Sequence, residues 1–471
     1  MAINEQEIKE IVRNVLKGIE TAGVSQAGKA DQKLLGVFDE IEDAIAAAVA
    51  AQKEIQPMPL EFREKIIANM RRKTLENAKL FAELGVEETG MGNVGHKILK
   101  HQLVAEKTPG TEDLSTIAWS GDRGLTLVEQ GPWGVIGAVC PSTNPTETVI
   151  CNSIGMIAAG NTVVFMPHPA AKKVSNLAID MINRASIEAG GPENIVVAVK
   201  EPTMEVSNIV FKHKDISLLV ATGGPGVVSS VLSSGKRAMG AGAGNPPVLV
   251  DETANIPKAA EDIINGCTFD NNLPCIAEKE VVAVDLIADE LIYHMEQSGC
   301  YHANAEEVQK LLRTVFVEKN GKKILNRKCV GRSAKVLLNM IGITVGDEIR
   351  CIIFEDEKTN PMIWEELMMP ILGIVRVKNV EAGIALCVEL EHGNRHSAHM
   401  HSTNVNNLTK YGKAIDTAIF VKNAPSYAAL GFGGEGYATF TISSRTGEGL
   451  TSTKSFTKSR RCVMGDALCI R

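Results

Sequence analysis

Residues 131–166, GPWGVIGAVCPSTNPTETVICNSIGMIAAGNTVVFM, set the pattern from which the architecture of the chain follows. Two apolar runs, Val135–Val139 and Thr162–Phe165, are bounded by proline and glycine and predict strands, and Thr146–Ala159 between them has a helical pattern. Further strand-like runs follow later in the chain: Ile195–Val199 and Ser217–Ala221. Strands that alternate with helices predict an α/β protein with a doubly wound parallel sheet, which binds nucleotides at the carboxyl edge of its strands.

The composition is that of a globular protein, with 471 residues of which 44 % are hydrophobic and 22 % charged. This length predicts two or three domains. The net charge of −7 gives no positive field that would attract nucleic acid or an anionic membrane. The absence of a signal-peptide pattern and of an apolar run of roughly 18 residues argues against secretion and membrane spanning. Ten cysteines without a CxxC pair predict reduced thiols in the cytoplasm, most of them in the core.

The first twenty residues form an amphipathic segment. Apolar side chains recur on one face of a predicted helix, at Ile8, Ile11, Val12, Val15, Leu16 and Ile19. The polar, small-residue stretch 21–33 has the composition of a linker. Because isolated helices of this length are marginally stable, we expect residues 1–20 to dock on the protein's own body, a sister subunit or a partner.

The rest of the chain divides by pattern into three parts. The predicted limits are 34–112 and 130–246 for a dinucleotide-binding domain, 247–433 for a second α/β domain, and 113–129 with 434–471 for a β arm. Within the arm, Asp113–Glu129 predicts a hairpin that turns at residues 121–124, and Tyr437–Ile442 is a β-prone piece.

Three sites are candidates for chemistry. Cys275 lies in the run NNLPCIAEK at residues 271–279, and Asn144 lies in a proline-rich loop after a predicted strand. A thiolate that attacks an aldehyde forms an oxyanion that needs donors, and Asn144 offers a side-chain amide. Gly223 and Gly224 follow a strand and precede a helix, so their backbone amides could approach a pyrophosphate. Taken alone, each has an ordinary alternative: a core thiol, a turn-forming asparagine and a plain β–α turn.

Together these residues resemble the aldehyde dehydrogenase superfamily, and its CoA-acylating branch in particular. The motifs that carry the resemblance are residues 131–137, Asn144-Pro145, residues 159–164 and residues 365–370. The similarity extends over nearly the whole chain from about Leu34. It implies that Cys275 is the nucleophile, Asn144 the oxyanion donor, Gly224 part of the pyrophosphate loop and Glu366 the residue that holds the nicotinamide ribose hydroxyls. It also implies the fold: a Rossmann-type cofactor domain, an α/β catalytic domain and a β oligomerisation arm.

Two departures from the hydrolytic members of the superfamily are informative. Those members carry a lysine before the proline that corresponds to Pro167 and a glutamate two residues after it, whereas this chain reads MPHP at residues 166–169. The residues that usually bind the adenosine ribose of the cofactor are therefore missing. NAD is predicted as the cofactor, and NADP remains an open alternative. Further candidates for cofactor contacts are Thr143, Pro167 and His168. The water-activating glutamate expected near Gly240 is also absent, and the chain has the glycine-rich stretch GAGAG at residues 240–244 instead. A thioacyl enzyme should then react slowly with water and persist until a mobile thiol enters.

The acylating branch implies NAD and coenzyme A as cofactor and co-substrate, with ping-pong kinetics. The N-terminal segment resembles the encapsulation peptides of bacterial microcompartment enzymes, and similar enzymes act on propionaldehyde or acetaldehyde. The resemblance implies a location in the microcompartment lumen, shell or core proteins as partners of residues 1–20, and a homodimer or homotetramer. No metal is predicted, since the histidines of the run at residues 392–401 match no zinc signature and the chemistry requires none.

Three alternatives remain open at this point: a hydrolytic aldehyde dehydrogenase, a reductase of acyl phosphates on the same fold, and a catalytically idle protein that packs a microcompartment core. Cys267, eight residues before Cys275, is the rival thiol. The sequence leaves the length of the aldehyde undetermined.

Overall fold

The computed structural model describes residues 33–319 and 321–470, so the predicted helix at 1–20 and almost all of the linker lie outside the described residues. Its α-helices are α1 (Ile41–Ile55), α2 (Leu60–Thr89), α3 (Val94–Lys107), α4 (Pro145–Ala158), α5 (Lys172–Glu188), α6 (Met204–Lys212), α7 (Pro225–Leu232), α8 (Ile256–Thr268), α9 (Asp285–Gln297), α10 (Ala305–Val315), α11 (Ala334–Met340), α12 (Pro361–Trp364), α13 (Val380–Leu390) and α14 (Val405–Ile415). Its strands are β1 (Val37–Phe38), β2 (Ile117–Gly121), β3 (Gly124–Pro132), β4 (Val135–Val139), β5 (Thr162–Met166), β6 (Val196–Val199), β7 (Ile216–Thr222), β8 (Ala238–Ala241), β9 (Pro247–Val250), β10 (Glu280–Val284), β11 (Cys300–His302), β12 (Phe316–Lys319), β13 (Lys322–Leu325), β14 (Cys351–Glu355), β15 (Ile371–Val377), β16 (Ser397–His401), β17 (Ile419–Lys422), β18 (Ile442–Ser443), β19 (Gly449–Leu450) and β20 (Thr457–Gly465).

The described residues form two compact units. The Cys275 unit comprises residues 82–100 and 242–436, and the Asn144 unit comprises residues 33–81, 101–241 and 437–470. These two units are defined by contacts within the chain, and the domain limits given in the sequence analysis stay predictions. No helix in the described part of the chain combines the length and the apolarity that a membrane span needs.

The Asn144 unit contains a parallel sheet in the strand order β1-β6-β5-β4-β7-β8. The chain runs from β4 through α4 to β5 and through α5 to β6, then returns to place β7 and β8 on the other side of β4. The strand order therefore reverses between β4 and β7. In doubly wound sheets, ligands bind at the carboxyl ends of the strands at such a reversal.

The central strands of this sheet form where most residues are buried and many are apolar and β-branched. All residues of β5 and β6 are buried, as expected for a parallel sheet that is covered on both faces. The strand predicted at Val135–Val139 is confirmed with the same bounds, and the other three strand predictions of this unit are confirmed within one residue at each end. The predicted helix between β4 and β5 is also confirmed, as α4.

The Cys275 unit contains a second parallel sheet, in the order β11-β14-β15-β10-β9-β16-β17. Its central strand β10 is buried throughout, and its first residue lies five positions after Cys275. The α/β alternation predicted to begin near Pro247 is confirmed by this sheet and its helices.

The predicted arm hairpin is confirmed: β2 and β3 pair antiparallel and meet at Gly121 and Gly124. The last strand, β20, pairs with β3 along nine residues from Thr457 to Gly465. The prediction of strand over Tyr437–Ile442 is wrong, because only Ile442 of that piece is in a strand, β18. Instead of a ladder, the threonines of this segment use side-chain hydrogen bonds: Thr439 Oγ1 lies 2.9 Å from Thr451 Oγ1, and Thr441 Oγ1 donates to Asn152 at 3.0 Å.

Candidate active site

Cys275 lies in the loop between α8 and β10. A short 3₁₀ turn, Phe269–Asn272, begins this loop, and Asp270, Asn271 and Asn272 have φ angles of 50°, 54° and 66°. Aspartate and asparagine visit the left-handed region more readily than other non-glycine residues, because their short side chains hydrogen-bond locally. The thiol-bearing residue is partly exposed, whereas the residues on either side of it, 272–274 and 276–280, are buried. Within residues 272–280, Cys275 is therefore the one residue that is accessible from outside.

The first left-handed residue, Asp270, is held by charge. Its Oδ2 lies 3.1 Å from the Lys97 ammonium and 2.6 Å from the Lys100 ammonium, and all three side chains are at most 2 % exposed. Its Oδ1 accepts a hydrogen bond from the backbone N–H of Asn93 at 2.8 Å. Buried charges are tolerated when they are paired and hydrogen-bonded, so this cluster fixes the start of the loop onto the beginning of α3.

The two asparagines that follow are held by backbone carbonyls. Asn271 Nδ2 donates to the carbonyl oxygen of Gly331 at 2.9 Å. Asn272 Nδ2 donates to the carbonyl oxygens of Cys267 at 3.0 Å and Glu278 at 2.9 Å. Each of the three left-handed residues therefore has its own side-chain anchor, which is how a strained backbone is maintained at a functional site.

Glu366 and Lys279 determine the charge around the thiol. The Lys279 ammonium lies 3.8 Å from Glu366 Oε1, and the Gly244 backbone hydrogen-bonds to the Glu366 carboxylate. Although Cys275 is partly exposed, desolvation by the surrounding protein raises the pKa of its thiol to about 12; the Glu366 carboxylate also raises it, and the Lys279 ammonium lowers it. Burial also raises the pKa of Glu366, against the effect of Lys279. The resting protein therefore holds Cys275 as a thiol.

Glycine is required by close contacts at two positions of the glycine-rich stretch. A Cβ atom on Gly244 would lie 2.7 Å from the carbonyl oxygen of Cys275 and 3.0 Å from the ring of His396. In the Asn144 unit, a Cβ atom on Gly240 would lie 2.8 Å from Cγ1 of Val228. Neither position accepts a side chain without displacement of its neighbours.

The remaining predicted site residues lie at the carboxyl edge of the sheet in the Asn144 unit. Thr143 and Asn144 follow β4, Pro167 and His168 follow β5, and Gly223 with Gly224 follows β7. These three strands are neighbours in the order β5-β4-β7, so the six residues surround the reversal of strand order. A Cβ atom on Gly223 or Gly224 would meet no protein atom within 4 Å, so protein packing does not require glycine there.

Asn144 is the N-cap residue of α4, with Pro145 in the first turn. It is 7 % exposed, and its backbone carbonyl accepts a hydrogen bond from Thr148 Oγ1 at 2.7 Å. Its side chain makes no capping hydrogen bond to the helix. The backbone of Asn144 is therefore fixed by α4, while its side-chain amide is not used to cap the helix.

The histidines of the 392–401 run serve the local structure. His399 Nε2 lies 2.9 Å from the carbonyl oxygen of Ile276, the residue after Cys275, and His392 Nε2 lies 2.7 Å from the carbonyl oxygen of Trp364. Burial lowers the pKa of His396 and His399 to about 4, so both are neutral at physiological pH.

The structure thus brings Cys275 and Glu366 together in one unit, joined through Lys279 and Gly244, and groups the other candidates on neighbouring strand ends of the other unit. Their chemical roles stay predictions. Lys279 and the Asp270 cluster were missed by the sequence analysis. The run of three turn-forming residues before Leu273 could have indicated a left-handed segment, but nothing in the sequence marks the lysines of α3 as its partners.

Proteins of known sequence or structure resemble this chain over almost its whole length. It is 47 % identical over 481 residues to the acetylating acetaldehyde dehydrogenase of Bilophila wadsworthia, with 99 % of each chain covered. A solved structure of a propionaldehyde dehydrogenase from the Clostridium phytofermentans fucose utilisation bacterial microcompartment is 66 % identical, with a TM-score of 0.91, and covers 93 % of this chain and 100 % of that one. A structure of Rhodopseudomonas palustris propionaldehyde dehydrogenase with bound CoA and an acylated cysteine is 54 % identical, with a TM-score of 0.90 and coverage of 93 % and 99 %.

These similarities confirm the predicted fold class and the predicted resemblance to the acylating enzymes. The match to the aldehyde dehydrogenase family spans residues 34–457, which begins where the sequence analysis placed the start of the similarity. The chain therefore belongs to the aldehyde dehydrogenase family.

Proposed function

We propose that this protein is a CoA-acylating aldehyde dehydrogenase that oxidises propionaldehyde or acetaldehyde to the acyl-CoA with NAD. The overall reaction converts aldehyde, NAD⁺ and CoA thiol into acyl-CoA, NADH and a proton. The observation that carries the proposal is a partly exposed Cys275 on a rigidly held loop, in a chain whose full-length relatives include one with bound CoA and an acylated cysteine.

Cys275 is the nucleophile of the first half-reaction. After its thiol loses a proton, the sulfur forms a bond to the aldehyde carbon, and the carbonyl oxygen becomes an oxyanion. Asn144 donates its side-chain amide to that oxyanion, together with a backbone N–H near Cys275. NAD, when bound, accepts the hydride that leaves the same carbon, and the product on Cys275 is a thioester.

Coenzyme A accepts the acyl group in the second half-reaction. Its thiol loses a proton, and the sulfur attacks the thioester carbon. The bond to Cys275 breaks, and the cysteine leaves as a thiolate that takes up a proton to return to the resting thiol. Water is a poor competitor because the chain provides glycine where hydrolytic members keep a glutamate. A side chain at Gly240 or Gly244 would have to displace its neighbours.

The residues at the carboxyl edge of the β4-β5-β7 strands fit the cofactor. The open space above Gly223 and Gly224 lets a pyrophosphate approach the backbone amides at the start of α7, where the helix dipole favours an anion. Thr143, Pro167 and His168 line the same edge. Glu366 holds the nicotinamide ribose hydroxyls through its carboxylate.

The proposal is tested by following NADH formation from propanal and NAD at 340 nm, with and without CoA. We expect steady turnover only with CoA, and a Cys275→Ser protein that is inactive, with Cys267→Ser as the matched thiol control that keeps its activity. Double-reciprocal plots against NAD and CoA should be parallel, as ping-pong kinetics requires.

Each alternative has its own outcome in this assay. Turnover without CoA would indicate a hydrolytic enzyme, dependence on phosphate would indicate acyl-phosphate chemistry, and no turnover with C2 to C4 aldehydes and either NAD or NADP would indicate an idle packing protein. Retained activity in Cys275→Ser would overturn the assignment of the nucleophile.

The same proposal places the enzyme in the lumen of a bacterial microcompartment, with residues 1–20 as the segment that binds shell or core proteins. Its support is the apolar stripe of that segment and a 66 % identical relative described as part of a microcompartment. We further propose a homodimer or homotetramer built on the arm. Trp119 is 54 % exposed and Val463 65 % exposed on β2 and β20, which is apolar surface that a second subunit would cover.

A further inference from the structure

Lys279 lies four residues after the nucleophile, and its side chain is 2 % exposed. Its ammonium donates hydrogen bonds to the backbone carbonyl oxygen of Asn272 at 3.0 Å and to Asn272 Oδ1 at 2.6 Å. Its third neighbour is Glu366, at 3.8 Å. A buried ammonium is costly unless it is paired, so these partners fix where the Lys279 head group can lie.

The two hydrogen bonds to Asn272 connect the two sides of the nucleophile loop, residues 269–279. Asn272 is the last of the three left-handed residues, and only Leu273 and Pro274 separate it from Cys275. Lys279 therefore binds the backbone on the N-terminal side of the thiol from a position on its C-terminal side. Loss of this contact would free the segment that aims the sulfur.

The third contact concerns charge. The Lys279 ammonium acts on the carboxyl groups of Glu280 and Glu366 and on the neutral imidazole of His396. Two further carboxyl groups act on side chains close by: Glu278 on Cys267, and Glu391 on Glu280. Among the groups that act on Cys275, Glu366 disfavours the thiolate, and Lys279 is the cation that favours it. Without Lys279, the effect of Glu366 on the sulfur would lose its opposing cation, which leaves a backbone hydrogen bond at Cys275 to favour the thiolate.

We propose that Lys279 is a positioning residue for the nucleophile: it holds Asn272 and Glu366 and supplies the positive charge that stabilises the Cys275 thiolate. This role rests on the proposed function, in which Cys275 attacks the aldehyde. It requires no contact between Lys279 and the substrate.

The test uses the full-length protein without aldehyde, NAD or CoA. The rate of alkylation of Cys275 by iodoacetamide is measured from pH 7 to 10 by peptide mass spectrometry. We expect Lys279→Met to slow alkylation about tenfold at each pH, which corresponds to a shift of one unit in the pKa of the thiol. Lys279→Arg should stay within about threefold of the wild type, because it keeps the charge.

Two further variants separate charge from folding. Lys279→Gln can still donate to Asn272 but carries no charge, and it should give the same slow alkylation even if Lys279→Met fails to fold. Lys236→Met is the matched control: Lys236 also donates to two backbone carbonyls, of His213 and Ile216, but in the other unit, and its loss should leave the alkylation of Cys275 unchanged.

An alkylation rate in Lys279→Gln or Lys279→Met equal to that of the wild type would overturn the role of Lys279, as would an arginine variant that is as slow as the methionine variant. These results are distinct from failure of the proposed function. An active Cys275→Ser enzyme would contradict the assignment of the nucleophile, while the alkylation rates would still report the effect of Lys279 on the thiol.

Discussion

Single side chains near Cys275 combine burial with incomplete hydrogen bonding. Glu278 is fully buried; its Oε1 accepts a hydrogen bond from the Ser426 backbone at 2.8 Å, and within the described part of the chain its Oε2 has no partner. Burial raises the pKa of Glu278 to about 8. The folded state thus prefers the protonated acid, whereas the unfolded chain has the ordinary value of about 4.3.

This shift makes stability depend on pH. Because the folded-state pKa is the higher one, the contribution of Glu278 to stability is complete below about pH 4 and is lost as the pH rises through 8. We expect Glu278→Gln, which cannot ionise, to gain melting temperature over the wild type as the pH is raised from 6 to 9. Calorimetry checks this, with Glu261→Gln as the exposed control from the same unit. Parallel melting curves of wild type and Glu278→Gln across this range would contradict the prediction.

At this scale the sequence identified the residues that carry family motifs and missed those that depend on the folded environment. Cys275, Asn144 and Glu366 stand in recognisable runs. Lys279 resembles any lysine at the start of a strand until the structure shows it buried against Asn272. Burial and partners are properties of the folded chain, so no pattern in the sequence displays them.

At the scale of elements, the nucleophile loop is held to the beginning of α3 by the contacts of Asp270 with Asn93, Lys97 and Lys100. Asp270→Asn should remove the charge that pairs Lys97 and Lys100, and loss of one partner from a buried pair costs about 3–5 kcal/mol. We expect a lower urea midpoint and slower alkylation of Cys275. Asp347→Asn, which breaks an exposed ion pair with Lys335, is the matched control and should leave both quantities nearly unchanged.

The two measurements distinguish an effect of the Asp270 cluster on stability from an effect on the position of the Cys275 thiol. A urea midpoint lowered together with unchanged alkylation would show that the Asp270 cluster stabilises the unit without aiming the thiol. If Lys100→Met in the Asp270→Asn background fails to raise the midpoint, the lost ion pair between Asp270 and Lys100 is not the cause of the destabilisation.

Helices and strands could be predicted from the sequence where the local hydrophobic pattern alone determined the structure. Strands β5 and β6 of the Asn144 unit consist mostly of apolar, β-branched residues, so their positions follow from pattern alone. Tyr437–Ile442 also contains β-prone residues, but only Ile442 of this piece lies in a strand, and its threonines make side-chain hydrogen bonds. Strand formation there depended on a pairing partner, which local propensity does not reveal.

At the scale of the whole molecule, we propose that residues 1–20 determine where the enzyme is located and take no part in catalysis. Deletion of residues 1–20 should leave kcat and KM for propanal within about twofold of the full-length values, because the family match begins at residue 34. The deletion should abolish co-purification with shell proteins in a strain that forms microcompartments. A full-length protein with Ile11→Glu and Leu16→Glu on the apolar stripe serves as the matched variant and should also lose co-purification. Lost activity, or shell association that survives the deletion, would contradict this role.

The contacts at Gly240 and Gly244 have a consequence for how this enzyme could change over evolution or by design. The preference for a thiol acceptor depends on the path of the backbone, since Val228 occupies the place of a side chain at one glycine and the Cys275 carbonyl does so at the other. A glutamate introduced at Gly240 would first have to displace Val228 on α7. The route from acyl transfer to hydrolysis therefore runs through repacking of a helix, and a lineage that began with the single substitution would lose stability before it gained a new reaction.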